Sequence, residues 1–169
     1  MENTKTDLVN LITKVGNEFI DAVDKFSDEE INMVPFPGSW TPAQVADHII
    51  KATGDIPDRF TEKADRQYDQ KVGEMENVFL DFNAKYKSPD FVQPAGGPFK
   101  KEELIKSLQA ILEKHKSKIP QVDLSAVCLR FELPAIGTMT RYEWYRFFVA
   151  HTKRHLFQLN NMLNYRAFA

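Results

Sequence analysis

Cysteine is almost missing from this chain: Cys128 is the only one in 169 residues. No intrachain disulfide can form, and any metal site has to rest on histidines or carboxylates. An excess of charge is also missing, since 22 basic and 24 acidic side chains leave a formal net charge of -2. That balance provides no field to attract nucleic acid or an anionic membrane surface. No segment approaches the roughly 18 uninterrupted apolar residues of a membrane span. The stretch Met1 to Asp7 has no apolar core of the signal-peptide kind, so a cytoplasmic location is expected. Internal repeats and low-complexity tracts are absent as well. What remains is an ordinary globular composition, 43% hydrophobic and 27% charged, expected to form one domain over residues 1–169 with a core of its own.

Apolar periodicity supplies the elements. Leu8, Leu11, Ile12, Val15, Phe19, Ile20 and Val23 recur at helical spacing and predict a first helix over about Thr6 to Phe26. The run Pro35-Phe36-Pro37-Gly38 cannot continue a regular helix. A second helix starts at Thr41-Pro42-Ala43-Gln44, where Thr41 can cap, Pro42 suits the first helical position and Gln44 can return a bond to the cap. Its apolar arc holds Val45, Ile49, Ala52, Ile56 and Phe60, with His48 at the border. Gly54 and Pro57 are expected to loosen its end. An extra helical segment is expected near Glu74 to Tyr86, then a long loop through Ser88-Pro89-Asp90 and Pro94-Ala95-Gly96-Gly97-Pro98. A third main helix follows over Lys101 to Ile119, with Leu104, Ile105, Leu108, Ile111 and Leu112 as its core stripe. Residues 121–138 alternate irregularly and predict a turn or short extended piece packed on the bundle end. The last helix runs from about Thr140 to Tyr165.

That last helix carries His151 and His155, four residues apart and therefore on one face. Both fall in the arc of Trp144, Phe147, Phe148, Leu159 and Met162, so the rings point inward. Two titratable rings in an apolar interior need partners there, either hydrogen bonds or a metal ion. His48, at the core border of a separate helix, makes a third candidate ligand. Three neutral imidazoles would leave a coordination position open, as catalytic metal sites do. His115, near a charged helix end, is expected to be solvated and serves as the contrast. Gln44 and Gln158, each one turn from a histidine, are candidates for orienting a ligand or bound water. Gln44 also has the simpler role of closing the helix cap. Asp55 is read as an exposed carboxylate rather than a fourth ligand, and Arg59 and Arg154 as solvated. Trp40 is read as stapling the start of the second helix to the core, and Cys128 as packed interior.

Three stretches together resemble the DinB-like superfamily: Pro37-Gly38-Ser39-Trp40-Thr41-Pro42-Ala43-Gln44-Val45-Ala46-Asp47-His48, the turn from Leu133 to Thr140, and His151-x-x-x-His155-Leu156-x-Gln158-Leu159. The resemblance implies an all-α, four-helix bundle with a long connection between the second and third main helices. It implies one divalent metal ion, zinc, nickel or iron, held by His48, His151 and His155. It further implies a small-molecule substrate, with either thiol-dependent S-transfer from a low-molecular-weight thiol or hydrolysis as the reaction, and a homodimer. A competing expectation is a non-catalytic bundle whose ion is structural or absent and which acts through dimerisation or partner binding. Phe147, Phe148, Phe157 and Phe168 would then be available for the interface. Access discriminates the two, because an open position beside the histidines favours catalysis and a sealed one favours structure.

Overall fold

In the computed structural model, which describes residues 2–166, five α-helices account for most of the chain. These are α1 (Glu2–Asp24), α2 (Pro42–Thr53), the short α3 (Val72–Phe79), α4 (Lys101–Lys118) and α5 (Arg141–Arg166). The first helix begins four residues earlier than its apolar spacing suggests and buries Leu8, Ile12, Val15, Phe19, Ala22 and Val23 on one stripe. The capping box expected at α2 is present. The Thr41 hydroxyl accepts from Gln44 N–H at 3.1 Å, and Gln44 Oε1 accepts from Thr41 N–H at 3.0 Å. The start of α5 repeats this device with Thr140 and Glu143. There the buried Glu143 carboxylate also accepts from both terminal nitrogens of Arg66, each at 2.7 Å. Those charge-assisted bonds fix where the long last helix enters the bundle.

Both α1 and α2 pack against α4 and α5. The order around the bundle is therefore α1, α4, α2, α5, and the two helices that come first in the chain lie across the diagonal. An internal glycine permits a close α1–α4 approach, since a Cβ at Gly16 would come within 3.1 Å of Leu112 Cδ1.

Residues 121–138, read as irregular, contain a strand and part of a second. A three-stranded antiparallel sheet has the order β1 (Thr61–Glu62), β2 (Val127–Leu133), β3 (Gly137–Thr140). Its pairs include Thr61 with Cys128 and Cys128 with Met139. The β2–β3 turn works because Ala135 and Gly137 take positive φ, 69° and 81°. The sheet leads directly into α5. The segment expected as a helix to Tyr86 stops at Phe79, and residues 80–99 run over the bundle with only a short 3₁₀ turn at Asp90–Val92.

Apolar side chains form two clusters. One joins the sheet to α1 and the first half of α5, from Trp144 to Ala150. The other gathers α2, the start of α4, and Leu159 and Met162 of α5. Along α5, His151, Thr152 and His155 fall between the two, as a polar layer in an otherwise apolar helix face. No helix among the described residues is long and apolar enough to cross a membrane. Phe168, one of the interface candidates, lies outside the described residues.

Candidate metal centre

The three imidazoles singled out above meet. The ring centre of His48 lies 5.1 Å from that of His151 and 4.7 Å from that of His155, and the latter two are 4.7 Å apart. One ligating atom from each can be chosen so that all lie within 4.8 Å of one another. All three side chains are buried, with exposures of 1% for His48 and 8% for His151 and His155. Two helices deliver them: α2 carries His48, and one face of α5 carries the i, i+4 pair.

The hydrogen bonds decide where the protons sit. His48 Nδ1 is 2.7 Å from the carbonyl oxygen of Val92. A carbonyl can only accept, so in the neutral ring the proton is on Nδ1 and the lone pair on Nε2. His155 Nδ1 likewise donates to Gln158 Oε1 at 2.8 Å, which leaves its Nε2 with a lone pair. His151 Nε2 lies 2.9 Å from His48 Nε2, and His151 Nδ1 is buried without a partner. A single proton between His151 and His48 satisfies that pair of nitrogens and leaves His155 Nε2 out. A cation accepting all three lone pairs satisfies every one, so this donor set fits a metal ion.

Burial is the first cause of the low basicity of all three rings. It lowers the pKa of His48 against the helping bond to Val92, and it brings His155 down to about 3, with the His48 charge adding to the effect. His151 is held well below the usual histidine range by burial and then by its two neighbours. Neutral imidazoles are the form that binds metal. The surrounding wall is aromatic. Trp40 lies 5.2 Å from His48 and stacks at 6.5 Å on His155, while Phe147 stacks on His151 at 5.1 Å and Phe79 meets its edge at 5.7 Å.

A family model described as the DinB superfamily matches residues 11–159. The chain belongs to the DinB superfamily. It is 25% identical over 140 residues to YuaE of Bacillus subtilis (strain 168), an uncharacterized protein, covering 80% of this chain and 85% of that one. Among solved structures, the DinB-superfamily chain is similar to YfiT from Bacillus subtilis, described as a probable metal-dependent hydrolase with an unusual four-helix bundle topology. The TM-score is 0.57 over 97% of this chain and 88% of that one; at 12% identity the likeness concerns the fold.

The other candidates distribute as follows. Gln158 touches a ring and Gln44 does not: besides closing the α2 cap, Gln44 Nε2 donates to the carbonyl of Ala95 at 3.3 Å. Asp55 is exposed and faces Lys114 at 3.2 Å and Lys118 at 3.6 Å, away from the rings. Arg59 is exposed, its guanidinium 5.6 Å from the centre of the Phe60 ring. Cys128 is fully buried, and burial raises its thiol pKa to about 12, which makes it inert packing.

Three expectations fail. Phe147 and Phe148 are not available for an interface, since both are buried in the core at 6% and 4% exposure. His115 is not solvated but 2% exposed, with Nε2 donating to the carbonyl of Thr53 at 2.7 Å. It sits three residues beyond Leu112 and so continues the α4 stripe inward. Arg154 is not a free surface cation either. Its guanidinium donates to the carbonyls of Phe79, Asp81 (2.7 Å) and Ala84, and it lies 5.2 Å from the centre of the Tyr86 ring. Val92, whose carbonyl orients His48, leaves no trace in the sequence because a main-chain acceptor has no signature in side-chain spacing.

Proposed function

We propose that His48, His151 and His155 hold one divalent metal ion and that the protein is a metal-dependent enzyme acting on a small molecule, either transferring a thiol to it or hydrolysing it. The observation that carries the reading is the tautomer pattern: two rings have Nδ1 committed to oxygen acceptors, so their Nε2 lone pairs are free to share a centre with His151. Zinc, nickel and iron all suit three imidazoles. A bound ion would supply Lewis acidity, lowering the pKa of a thiol or a water beside an electrophile. The chain's own contributions are orientation and exclusion. Val92 and Gln158 set the rings, and Trp40, Phe79 and Phe147 keep bulk water from them. The groups hydrogen-bonded to the rings, a carbonyl and an amide, sit on Nδ1, away from the shared Nε2 side, and so orient the rings without taking part in the reaction.

The test is to load untagged protein with each metal, measure stoichiometry, and assay thiol transfer to an electrophile beside ester and amide hydrolysis. One ion per chain and turnover with thiol, both lost in His151→Ala/His155→Ala, are expected. Equal metal content in wild type and double variant would overturn the assignment.

The closed state of the site supports a second reading, a structural ion in a protein that acts by binding. An apolar pocket of about 50 Å³, lined by Val15, Phe19, Ile49, Leu112, His115 and Thr152 among others, includes none of the three ligand candidates. One bound ion per chain with no turnover in any of these assays would favour this reading.

A further inference from the structure

Access to the three buried rings turns on the segment whose Val92 carbonyl holds His48. From Asp81 to Lys100, Val92 alone is buried, and the apolar contacts are few and half open: Phe82 stacks on Phe157 at 4.7 Å and Phe91 meets Phe131 edge-on at 5.5 Å. Hydrogen bonds supply the more specific anchors, from two sides. One face of α2 pins the far part: His48 Nδ1 donates to Val92 O at 2.7 Å, Lys51 Nζ to Gln93 O at 2.9 Å, and Gln44 Nε2 to Ala95 O at 3.3 Å, while Ala95 N–H donates to Asp47 Oδ2 at 2.8 Å. Residues 44, 47, 48 and 51 follow helical spacing, so they form one line of anchors. From the other side, Arg154 of α5 holds three carbonyls, those of Phe79, Asp81 and Ala84, and lies against Tyr86. Between the two sets of anchors, Lys85 to Phe91 have no buried side chain.

We propose that residues 81–95 are a strap that lifts to open the three-histidine site, with Arg154 as its latch. The inference rests on the proposed function for what the strap admits, an ion or a small substrate, but the strap itself is a property of the polypeptide. Its far anchor is the Val92 carbonyl that fixes the His48 tautomer. Lifting the strap therefore exposes the rings and releases one of them at once, whereas the helices that carry the rings stay packed in the bundle.

Arg154 separates this proposal from simple electrostatics, because its charge also lowers the pKa of His151 and His155. Removing a cation near the rings favours a bound metal ion and slows its loss. Removing a latch speeds it. Wild type, Arg154→Ala and Arg154→Lys are compared in two states. In metal-free protein, diethylpyrocarbonate modification of His151 and His155 is followed by mass spectrometry with His115 as internal standard, together with amide hydrogen exchange. In zinc-loaded protein, the rate of stripping by excess chelator is followed. Both substitutions are expected to accelerate modification and stripping by about tenfold, since each removes charge-assisted bonds that the shorter reach of lysine does not replace. Exchange is expected to rise over 81–95 and stay unchanged in α1 and α4. Wild-type rates in both variants, or exchange raised equally throughout, would overturn the strap. A wild-type protein that takes up none of zinc, nickel and iron would sink the proposed function, and the modification and exchange measurements would still decide the strap.

Discussion

His115 and the three-histidine cluster are two ways of burying imidazole in one bundle, and by the usual markers they are hard to tell apart. His115 is 2% exposed and His48 is 1%. Each uses one ring nitrogen on a main-chain carbonyl at 2.7 Å, and each has its pKa lowered first by burial. Each neighbourhood also contains a buried ring nitrogen without a partner, His115 Nδ1 in one and His151 Nδ1 in the other. The difference is direction. Around His115 the nearest rings are Tyr145 and Phe148, with no second nitrogen to share a ligand, whereas at the cluster three nitrogens look into one space. Burial and depressed basicity are therefore poor markers of chemistry, and convergence of lone pairs is a good one.

Removing one member of each site breaks the comparison most sharply. His48→Ala is expected to weaken zinc binding at least about a hundredfold, because a chelate loses one of three donors. His115→Ala should leave it unchanged; equilibrium dialysis against a competing chelator measures both. The second effect is reversed in kind. His115→Ala is expected to cost about 3 kcal/mol in urea denaturation, since it enlarges the apolar cavity beside it and unsatisfies the Thr53 carbonyl.

Acidification sharpens the comparison next. The folded pKa values lie below the unfolded histidine value near 6.5, so stability is complete above about pH 6.5 and is lost as pH falls toward the folded value, about 3 for His155. For that residue alone, metal-free protein should lose about 1.5 kcal/mol between pH 6.5 and 5. In His155→Gln this part of the loss should vanish, as denaturation at the two pH values would show. The smallest effect expected is that of Gln158→Leu, which frees the His155 ring without removing it. Zinc affinity should fall about tenfold with the fold intact, read by the same dialysis.

How far the sequence could be read follows from what kind of signal each feature leaves. The start of α2 is written in side chains that cap, and the i, i+4 histidine pair is written in helical phase, so both are read directly; the Thr140–Glu143 cap of α5 emerges only from the structure. His115 reads as solvated because it stands among the charged residues of the helix end, whereas the phase of the α4 stripe carries it inward one turn beyond Leu112. The α3 segment stops at Phe79 rather than Tyr86 because the following residues offer their carbonyls to Arg154 instead of to a helix. That partner lies 70 residues or more away and has no local trace. The β2–β3 pairing was hidden for a similar reason, since its register shifts between Cys128 and Leu133 and spoils a clean alternation.

The diagonal placement of α1 and α2 has a consequence for how the protein comes into being. Helices adjacent in the chain do not zip together as a hairpin, and His48 finds His151 only at a separation of 103 positions along the chain. The three-ring set is thus complete only once α5 has been made and docked beside α2. Capture of an ion by all three rings would report that docking.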